Sequence, residues 1–483
     1  MPVNGSLRRV TAAASVLLLA LVGCDVAAPT APDPAASTPT QSPEPSATGD
    51  YTMRVVTDGL ANPWELTWGP DGYLWVTEKA AGRVLRVSPA NGTRTTALTV
   101  PDVLATPGSQ NGLLGLALDP ALLTRAAEQF VYLAYTYDTA SGPRAKIVRY
   151  EYDRARAQLV RPRNVLTGLP AGIDHQSGRL VLGPDHMLYY TIGDQGHNQF
   201  DSVCLPIEAQ TLPTARQVQA RDWSAYQGKV LRLGTDGAIP ADNPVLAGVR
   251  SHVYSYGHRN AQGLVFGADR RLYASEQGPK TDDEVNLIRA GGNYGWPRVA
   301  GYRDDKAYVY GNWSASGDGV GCEALSFSDF ELPASVPQLR ESSFDDAAYV
   351  EPLRTFSTVD DGHDFARPEC RSAFFICWPT VAPSSLDYYP AGGPMPGWGP
   401  SLLMPTLKDG AVYRIPLTRS GTAAGEPVEL WRTVNRYRDV AIGADGRTFY
   451  VATDLAGLTR DADGRPTDAL QHPGAILEFR YVG

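Results

Sequence analysis

Gly69-Pro70-Asp71-Gly72 stands between Trp64-Glu65-Leu66-Thr67-Trp68 and Tyr73-Leu74-Trp75-Val76-Thr77, and the whole reads as strand, tight turn, strand. Proline fixes one turn dihedral, aspartate bonds the backbone beyond it, and glycine accepts a positive φ. The unit returns along the chain. Gly183-Pro184-Asp185 separates Leu180-Val181-Leu182 from Met187-Leu188-Tyr189-Tyr190-Thr191. Gly267-Ala268-Asp269 separates Leu264-Val265-Phe266 from Leu272-Tyr273-Ala274-Ser275. Gly443-Ala444-Asp445-Gly446 separates Val440-Ala441-Ile442 from Phe449-Tyr450-Val451-Ala452. Looser copies pair Leu116-Ala117-Leu118-Asp119-Pro120 with Phe130-Val131-Tyr132-Leu133, and place Asp409-Gly410 inside Leu402 to Ile415. Six such units predict an all-β, six-bladed β-propeller with long loop insertions. The first strand, Met53-Arg54-Val55-Val56, and the last, Ile476-Leu477-Glu478-Phe479, are placed to share a blade and close the ring.

Composition agrees with many turns and short strands. The 483 residues include 48 Gly and 38 Pro, and no long amphipathic helix is legible. The net charge is −9 and no Lys/Arg-rich run occurs, which sets aside a nucleic-acid partner. In a propeller, function sits on loops at one end of the central channel.

Arg8 and Arg9 precede an apolar run, Val10 to Val22, that ends Leu21-Val22-Gly23-Cys24. The order of charge, apolar run, small residue and cysteine resembles a bacterial lipoprotein signal. Residues 1–23 are therefore expected to be a signal peptide and Cys24 a lipidated N-terminus. Residues 24–50 form the tether: from residue 25 on they are almost entirely Ala, Pro, Ser, Thr and acids, a composition that buries no core and predicts disorder. Residues 51–483 make the propeller domain. The chain is expected to be exported and held at a membrane surface, facing the periplasm or the cell exterior. Four cysteines then remain for an oxidising compartment. Cys370 and Cys377 enclose a short loop and are expected to pair. Spacing leaves open whether Cys204 and Cys322 form a second bridge.

Four clusters carry chemistry. Asp174-His175-Gln176-Ser177-Gly178-Arg179 precedes the third unit. A histidine beside a carboxylate accepts protons near neutral pH, although a loop histidine equally serves a structural hydrogen bond. Gly257-His258-Arg259-Asn260 precedes the fourth unit, where an arginine suits a developing oxyanion or a carboxylate. Lys408, Arg436 and Arg438 would suit a polyanion if they converge, the two arginines sharing one face of a strand. Gln277-Gly278-Pro279 leads to Asp282-Asp283-Glu284, with Asp304 and Glu341 beyond, a set as compatible with Ca2+ as with a solvated acidic loop.

Taken in order, the long motifs resemble the soluble quinoprotein glucose dehydrogenases, the glucose/sorbosone dehydrogenase family. They are Gln110-Asn111-Gly112-Leu113-Leu114-Gly115, DHQSGRL at 174–180, GHRN at 257–260, SEQGP at 275–279, GGNYGWP at 291–297, ICWPTVAPSS at 376–385 and NRYRDV at 435–440. The resemblance runs from about Val55 to Phe479.

It implies pyrroloquinoline quinone (PQQ) and Ca2+ as cofactors, and oxidation of the anomeric hydroxyl of glucose or a related aldose to the lactone. Asn260, Lys408, Arg436 and Arg438 would bind the quinone, with Trp378 and Thr380 nearby. The carbonyls of Gly278 and Pro279 would hold the active-site Ca2+. Further Ca2+ at the interface of a homodimer would use Glu284, Asp304 and Glu341, with the carbonyls of Tyr294, Ala300 and Tyr302. Gln110, Asp174, Gln199 and Arg259 would hold the sugar. His175 would be the base, Asp174 its orienting carboxylate and Asp194 a supporting one, while Arg259 would stabilise charge on the quinone oxygen. An electron acceptor outside the chain must then reoxidise the cofactor. The chain departs from the family pattern at His197, Ala261 and Phe375, and along residues 309–345. Two other readings are a dehydrogenase of the same fold for another sugar or a sorbosone-like aldehyde, and a non-catalytic binding propeller.

Overall fold

A computed structural model describes residues 50–124, 129–317, 319–370 and 373–483. The expected signal peptide and nearly all of the tether lie outside the described residues. Among them, no helix is long and apolar enough to cross a membrane.

Six four-stranded antiparallel sheets make the fold. Counted from the centre outward, blade I is Pro63–Trp68, Leu74–Glu78, Arg83–Val87 and Arg94–Thr99. Blade II is Leu113–Leu118, Phe130–Tyr137, Arg144–Asp153 and Gln158–Pro170. Blade III is Ser177–Leu182, Met187–Ile192, Lys229–Gly234 and Val253–Tyr256. Blade IV is Ala261–Phe266, Leu272–Glu276, Asp283–Ile288 and Arg354–Phe356. Blade V is Asp387–Tyr389, Ser401–Pro405, Val412–Pro416 and Val428–Leu430. Blade VI joins both ends of the domain: Tyr437–Ile442, Thr448–Thr453, Ile476–Tyr481 and then Tyr51–Thr57. Met53 pairs with Phe479, the closure expected from the sequence. Neighbouring inner strands touch all the way round the ring.

One unit was misplaced in the sequence reading. The Leu402 to Ile415 hairpin is the second and third strand of blade V, whereas every other unit is the first and second. The true inner strand, Asp387–Tyr389, is three residues long and is followed by residues 390–400 instead of a Gly-Pro-Asp turn, so it left no repeat to read. Cys204 bonds Cys322 and Cys370 bonds Cys377.

The ring has a polar knot at its centre. Arg179, 2% exposed, is the third residue of the inner strand of blade III and points into the channel. Its guanidinium meets Glu65 of blade I at 2.7 Å and Asp439 of blade VI at 3.0 Å. It also donates to the carbonyls of Gln262 in blade IV (2.8 Å) and Ser384 just before blade V (3.1 Å). Glu65 accepts the Leu116 amide of blade II at 3.4 Å, so five inner strands and the segment entering the sixth meet one cluster. The Trp64 ring lies 4.1 Å from the guanidinium carbon. Burial pushes the Glu65 carboxyl up to about 8, with Arg179 opposing and Asp439 adding to the shift. Glu65 therefore holds its proton to higher pH than an exposed glutamate does, which lowers the negative charge gathered around Arg179.

Arg179→Met should lower unfolding free energy by about 3–5 kcal/mol in denaturant titration, because it strands a buried carboxylate. Glu65→Gln should cost far less at pH 7. It should also flatten part of the pH dependence. A carboxyl raised from 4.5 to about 8 stabilises fully below pH 4.5, and that contribution is lost as pH rises towards 8. Equal losses for the two variants at pH 7 would contradict this assignment of charge.

Candidate active site

Each inner strand runs away from one face of the ring, and the second strand returns to it. The loops entering inner strands and those leaving second strands therefore share that face. Gln110, Asp174-His175, Arg259-Asn260, Trp378-Thr380 and Arg436 enter inner strands, while Arg438 is the second residue of one. Asp194, Gly278-Pro279 and Lys408 follow second strands. Apart from the buried Asn260 and Asp194, they surround a cleft of about 1000 Å³.

His175 sits on strained backbone, with φ +39°. A Cβ at Gly193 would lie 1.9 Å from the His175 carbonyl oxygen, so only glycine lets the two loops close on each other. The imidazole Nδ1 lies 2.7 Å from Asp194 Oδ1. Asp194, 1% exposed, also accepts Trp296 Nε1–H at 2.8 Å and the Gly196 amide at 2.9 Å. Burial alone would raise its pKa, but His175 and Arg259 hold it below the ordinary value. The two carboxylates thus exchange the places expected of them. Asp194 orients the ring, and Asp174 comes no closer than 3.7 Å, at Nε2. Asp174 instead accepts Gln110 Nε2–H (2.6 Å), Gln199 Nε2–H (3.3 Å) and the His175 amide (2.9 Å). Asp194 is tied by its ring partner and by Trp296, which lies far off in sequence, so adjacency favoured the wrong aspartate.

The opposite wall is cationic. Lys408 Nζ hydrogen-bonds Thr380 Oγ1, and burial pushes the ammonium down to about 7 against the pull of Asp283. Arg438 grips Asp454 with Nε and Nη2, both at 2.8 Å, and Arg436 Nε reaches the same carboxylate at 3.0 Å. Burial would raise the Asp454 pKa, but the two arginines hold it down to about 2. Arg259 lies over the Trp296 ring at 5.3 Å and donates to the Gln277 carbonyl at 3.2 Å, while its buried Nε has no partner among the described residues.

Gln262, Asn260 and Arg460 connect these walls, and of the three only Asn260 is expected from the sequence. Gln262 donates to Gln110 Oε1 at 3.1 Å and accepts from Arg438 at 2.8 Å. Asn260, fully buried, donates to Gln110 (3.3 Å) and Gln277 (3.2 Å) and accepts the Ser177 amide (3.1 Å). Arg460 braces the third side through the carbonyls of Ile376 (2.9 Å), Trp378 (2.7 Å) and Thr380 (2.9 Å). Gln262 lies inside the GHRN-linked strand and was within reach of a period-two reading, but nothing local marked Arg460.

Gly278 and Pro279 line the cleft, and among the described residues neither carbonyl accepts a hydrogen bond. Asp283 fixes their turn: Oδ1 accepts the Gly278 amide at 2.8 Å, and Oδ2 accepts those of Val381 (2.6 Å) and Ala382 (2.7 Å). The carboxylates expected to hold further Ca2+ are turned onto one loop. Among the described residues, Glu284, Asp304 and Glu341 do not bring carboxylate oxygens within 4.8 Å of one another. Glu284 accepts the Gly301 amide (2.6 Å), and Glu341 accepts those of Ala300 (3.0 Å) and Asp305 (3.0 Å). Their oxygens are thus turned onto the loop that carries Ala300, Tyr302 and Asp304. Burial raises both carboxyls, that of Glu341 to about 7.

The Glucose / Sorbosone dehydrogenase family model matches residues 60–318 and 353–460. Quinoprotein glucose dehydrogenase B of Acinetobacter calcoaceticus is 43% identical over 440 residues, 89% of this chain and 91% of that protein. The PQQ-bound aldose sugar dehydrogenase of Streptomyces coelicolor is 30% identical, with a TM-score of 0.58 over 90% of this chain and 99% of that one. The apo aldose sugar dehydrogenase of Escherichia coli shares the fold at 23% identity, with a TM-score of 0.61 over 89% of this chain and 99% of that one. The chain belongs to the glucose/sorbosone dehydrogenase family.

Proposed function

We propose that this protein oxidises the anomeric hydroxyl of glucose or a related aldose to the lactone, with PQQ and Ca2+ as cofactors. The observation that carries this reading is a carboxylate-held imidazole and three cations lining one cleft. A binding-only propeller has no use for both.

The donor set fits the cofactors. Lys408, Arg436 and Arg438 outnumber Asp454, which suits a flat tricarboxylate. Thr380, Trp378 and Asn260 flank it, and the unpartnered Arg259 Nε offers a further donor. The free carbonyls of Gly278 and Pro279 suit Ca2+. When bound, the quinone supplies a hydride acceptor for the anomeric carbon and Ca2+ a Lewis acid on the quinone oxygens.

The chain's own residues supply the rest. With Nδ1 tied to Asp194, His175 Nε2 is the atom left to take the anomeric proton. Asp194 stabilises the imidazolium that forms and keeps the ring from turning. Gln110, Asp174 and Gln199, already joined to one another, exchange their mutual bonds for sugar hydroxyls. Arg259 stabilises negative charge beside the reacting carbon.

Reconstitution of apo-protein with PQQ and Ca2+, followed by dye reduction over a sugar panel, tests the reading. Quinone binding without oxidation of any sugar would falsify it. His175→Ala should retain quinone binding and lose about 10²–10⁴ in kcat. Asp194→Asn should lose about 10³–10⁴, because the ring loses its fixed tautomer. A full rate in either variant removes that residue from the mechanism.

Lys408 gives a pH signature. Its ammonium, near 7 in the free site, is raised by a bound polyanion. PQQ affinity should therefore fall up to about tenfold per pH unit above 7 as a proton is taken up on binding. Calorimetry in buffers of different ionisation heat should detect that proton, and Lys408→Met should abolish it. Proton uptake that persists in Lys408→Met would assign it elsewhere.

Export and lipidation at Cys24 belong to the same reading, and two disulfides support an oxidising compartment. Cys24→Ser should release the protein from membranes, and continued attachment would contradict an anchor there.

A further inference from the structure

The segment that presents Trp378 and Thr380 to the cleft lies outside every strand. Its backbone groups still need partners. Two charged side chains from other blades supply them. Asp283 takes the amides of Val381 (2.6 Å) and Ala382 (2.7 Å). Arg460 takes the carbonyls, that of Ile376 through Nε and those of Trp378 and Thr380 through Nη2. The three carbonyls alternate along the chain, so one guanidinium spans residues 376–380.

The same residue also holds Lys408. Arg460 sits on a hairpin, Thr459–Arg460 paired with Pro466–Thr467, inserted between the second and third strands of blade VI. Its amide donates to the Lys408 carbonyl at 2.9 Å, and the Thr459 hydroxyl donates to the same oxygen at 3.0 Å. Its Nη1 pairs with Asp409, a buried carboxylate, at 2.5 Å. Lys408 Nζ and Thr380 Oγ1 therefore meet in the cleft while one hairpin grips both of their backbones. Arg460, Thr459 and Asp409 do not themselves line the cleft. The pair is also electrostatic. Burial does most to push the Lys408 ammonium down; Asp283 and Asp409 oppose burial, and Arg460 and Arg259 add to it.

We infer that Arg460 and Asp409 are the positioning pair of the quinone site, holding Lys408 and the Trp378 to Thr380 segment in register from outside the cleft. The inference rests on the proposed quinone cofactor. Neither residue touches the ligand; both act through Lys408, Trp378 and Thr380. Lysine cannot take the place of Arg460. The guanidinium serves four acceptors through its side chain, and an ammonium carries three donors without a fixed fork. The two members of the pair act on the charge of Lys408 in opposite directions, which separates them from residues that merely pack.

The test titrates PQQ into the apo-protein with Ca2+ present, by calorimetry across the pH range around neutrality, and needs no turnover. On the acid side, where Lys408 is charged, Arg460→Lys and Arg460→Met should each weaken PQQ binding about tenfold. On the alkaline side the variants part. In Arg460→Met the fall in affinity should begin at higher pH than in the unaltered protein, because a charge opposing the ammonium is gone. Arg460→Lys should keep the original midpoint. Asp409→Asn should move it to lower pH, because a charge favouring the ammonium is gone. Melting curves check that each variant is folded, and Asp409→Asn, which keeps the shape of the side chain, carries the test if the Arg460 variants do not fold. Unchanged PQQ affinity in either folded Arg460 variant, or an unmoved midpoint in Asp409→Asn, overturns the positioning role alone. Absence of PQQ binding by the unaltered protein overturns the quinone reading and this role with it.

Discussion

One buried guanidinium organises this molecule. Arg179 reaches carboxylates of blades I and VI and carbonyls at blades IV and V, from its own place in blade III. A propeller closes only if its inner strands hold a common register, and hydrophobic packing between blades is tolerant of small slides. Directional bonds to a single cation are not. The knot tolerates burial because burial also raises Glu65, which lowers the negative charge gathered around Arg179.

The same centre sets the site. Gln262 gives Arg179 its carbonyl and sends its side chain to Gln110 and Arg438. A continuous line of hydrogen bonds then runs from Asp174 through Gln110, Gln262 and Arg438 to Asp454 and Arg436. The His175 side of the cleft and its cationic side are therefore positioned by one frame. At the His175 loop, a positive φ and the missing Cβ of Gly193 bring the imidazole onto Asp194. The surrounding sheets hold that loop in place.

Much of the fold was legible because its turns are chemically explicit. Gly-Pro-Asp and Gly-Ala-Asp announce the hairpin between the first and second strands. Blade V lacks that turn, and its hairpin was assigned one strand too far in. The site residues were legible as motifs, but their partners were not. Asp174 neighbours His175 in sequence, yet Asp194, reached through the second strand of blade III, holds the ring. Arg179, Gln262 and Arg460 act across blades, and a one-dimensional pattern records no such reach. The carboxylates expected to hold further Ca2+ show the same limit. Acidic residues along a loop show charge but not direction, and here Glu284 and Glu341 face backbone amides.

The central claim is that His175 removes the anomeric proton in the step that transfers hydride. The most direct measurement is the rate of quinone reduction on rapid mixing of holoenzyme with glucose and with glucose deuterated at C1. The account predicts a primary isotope effect in the unaltered protein. It also predicts a rate that rises with deprotonation of a single group, and loss of that pH dependence together with most of the rate in His175→Ala. An unchanged pH profile in His175→Ala, with quinone still bound, would contradict it.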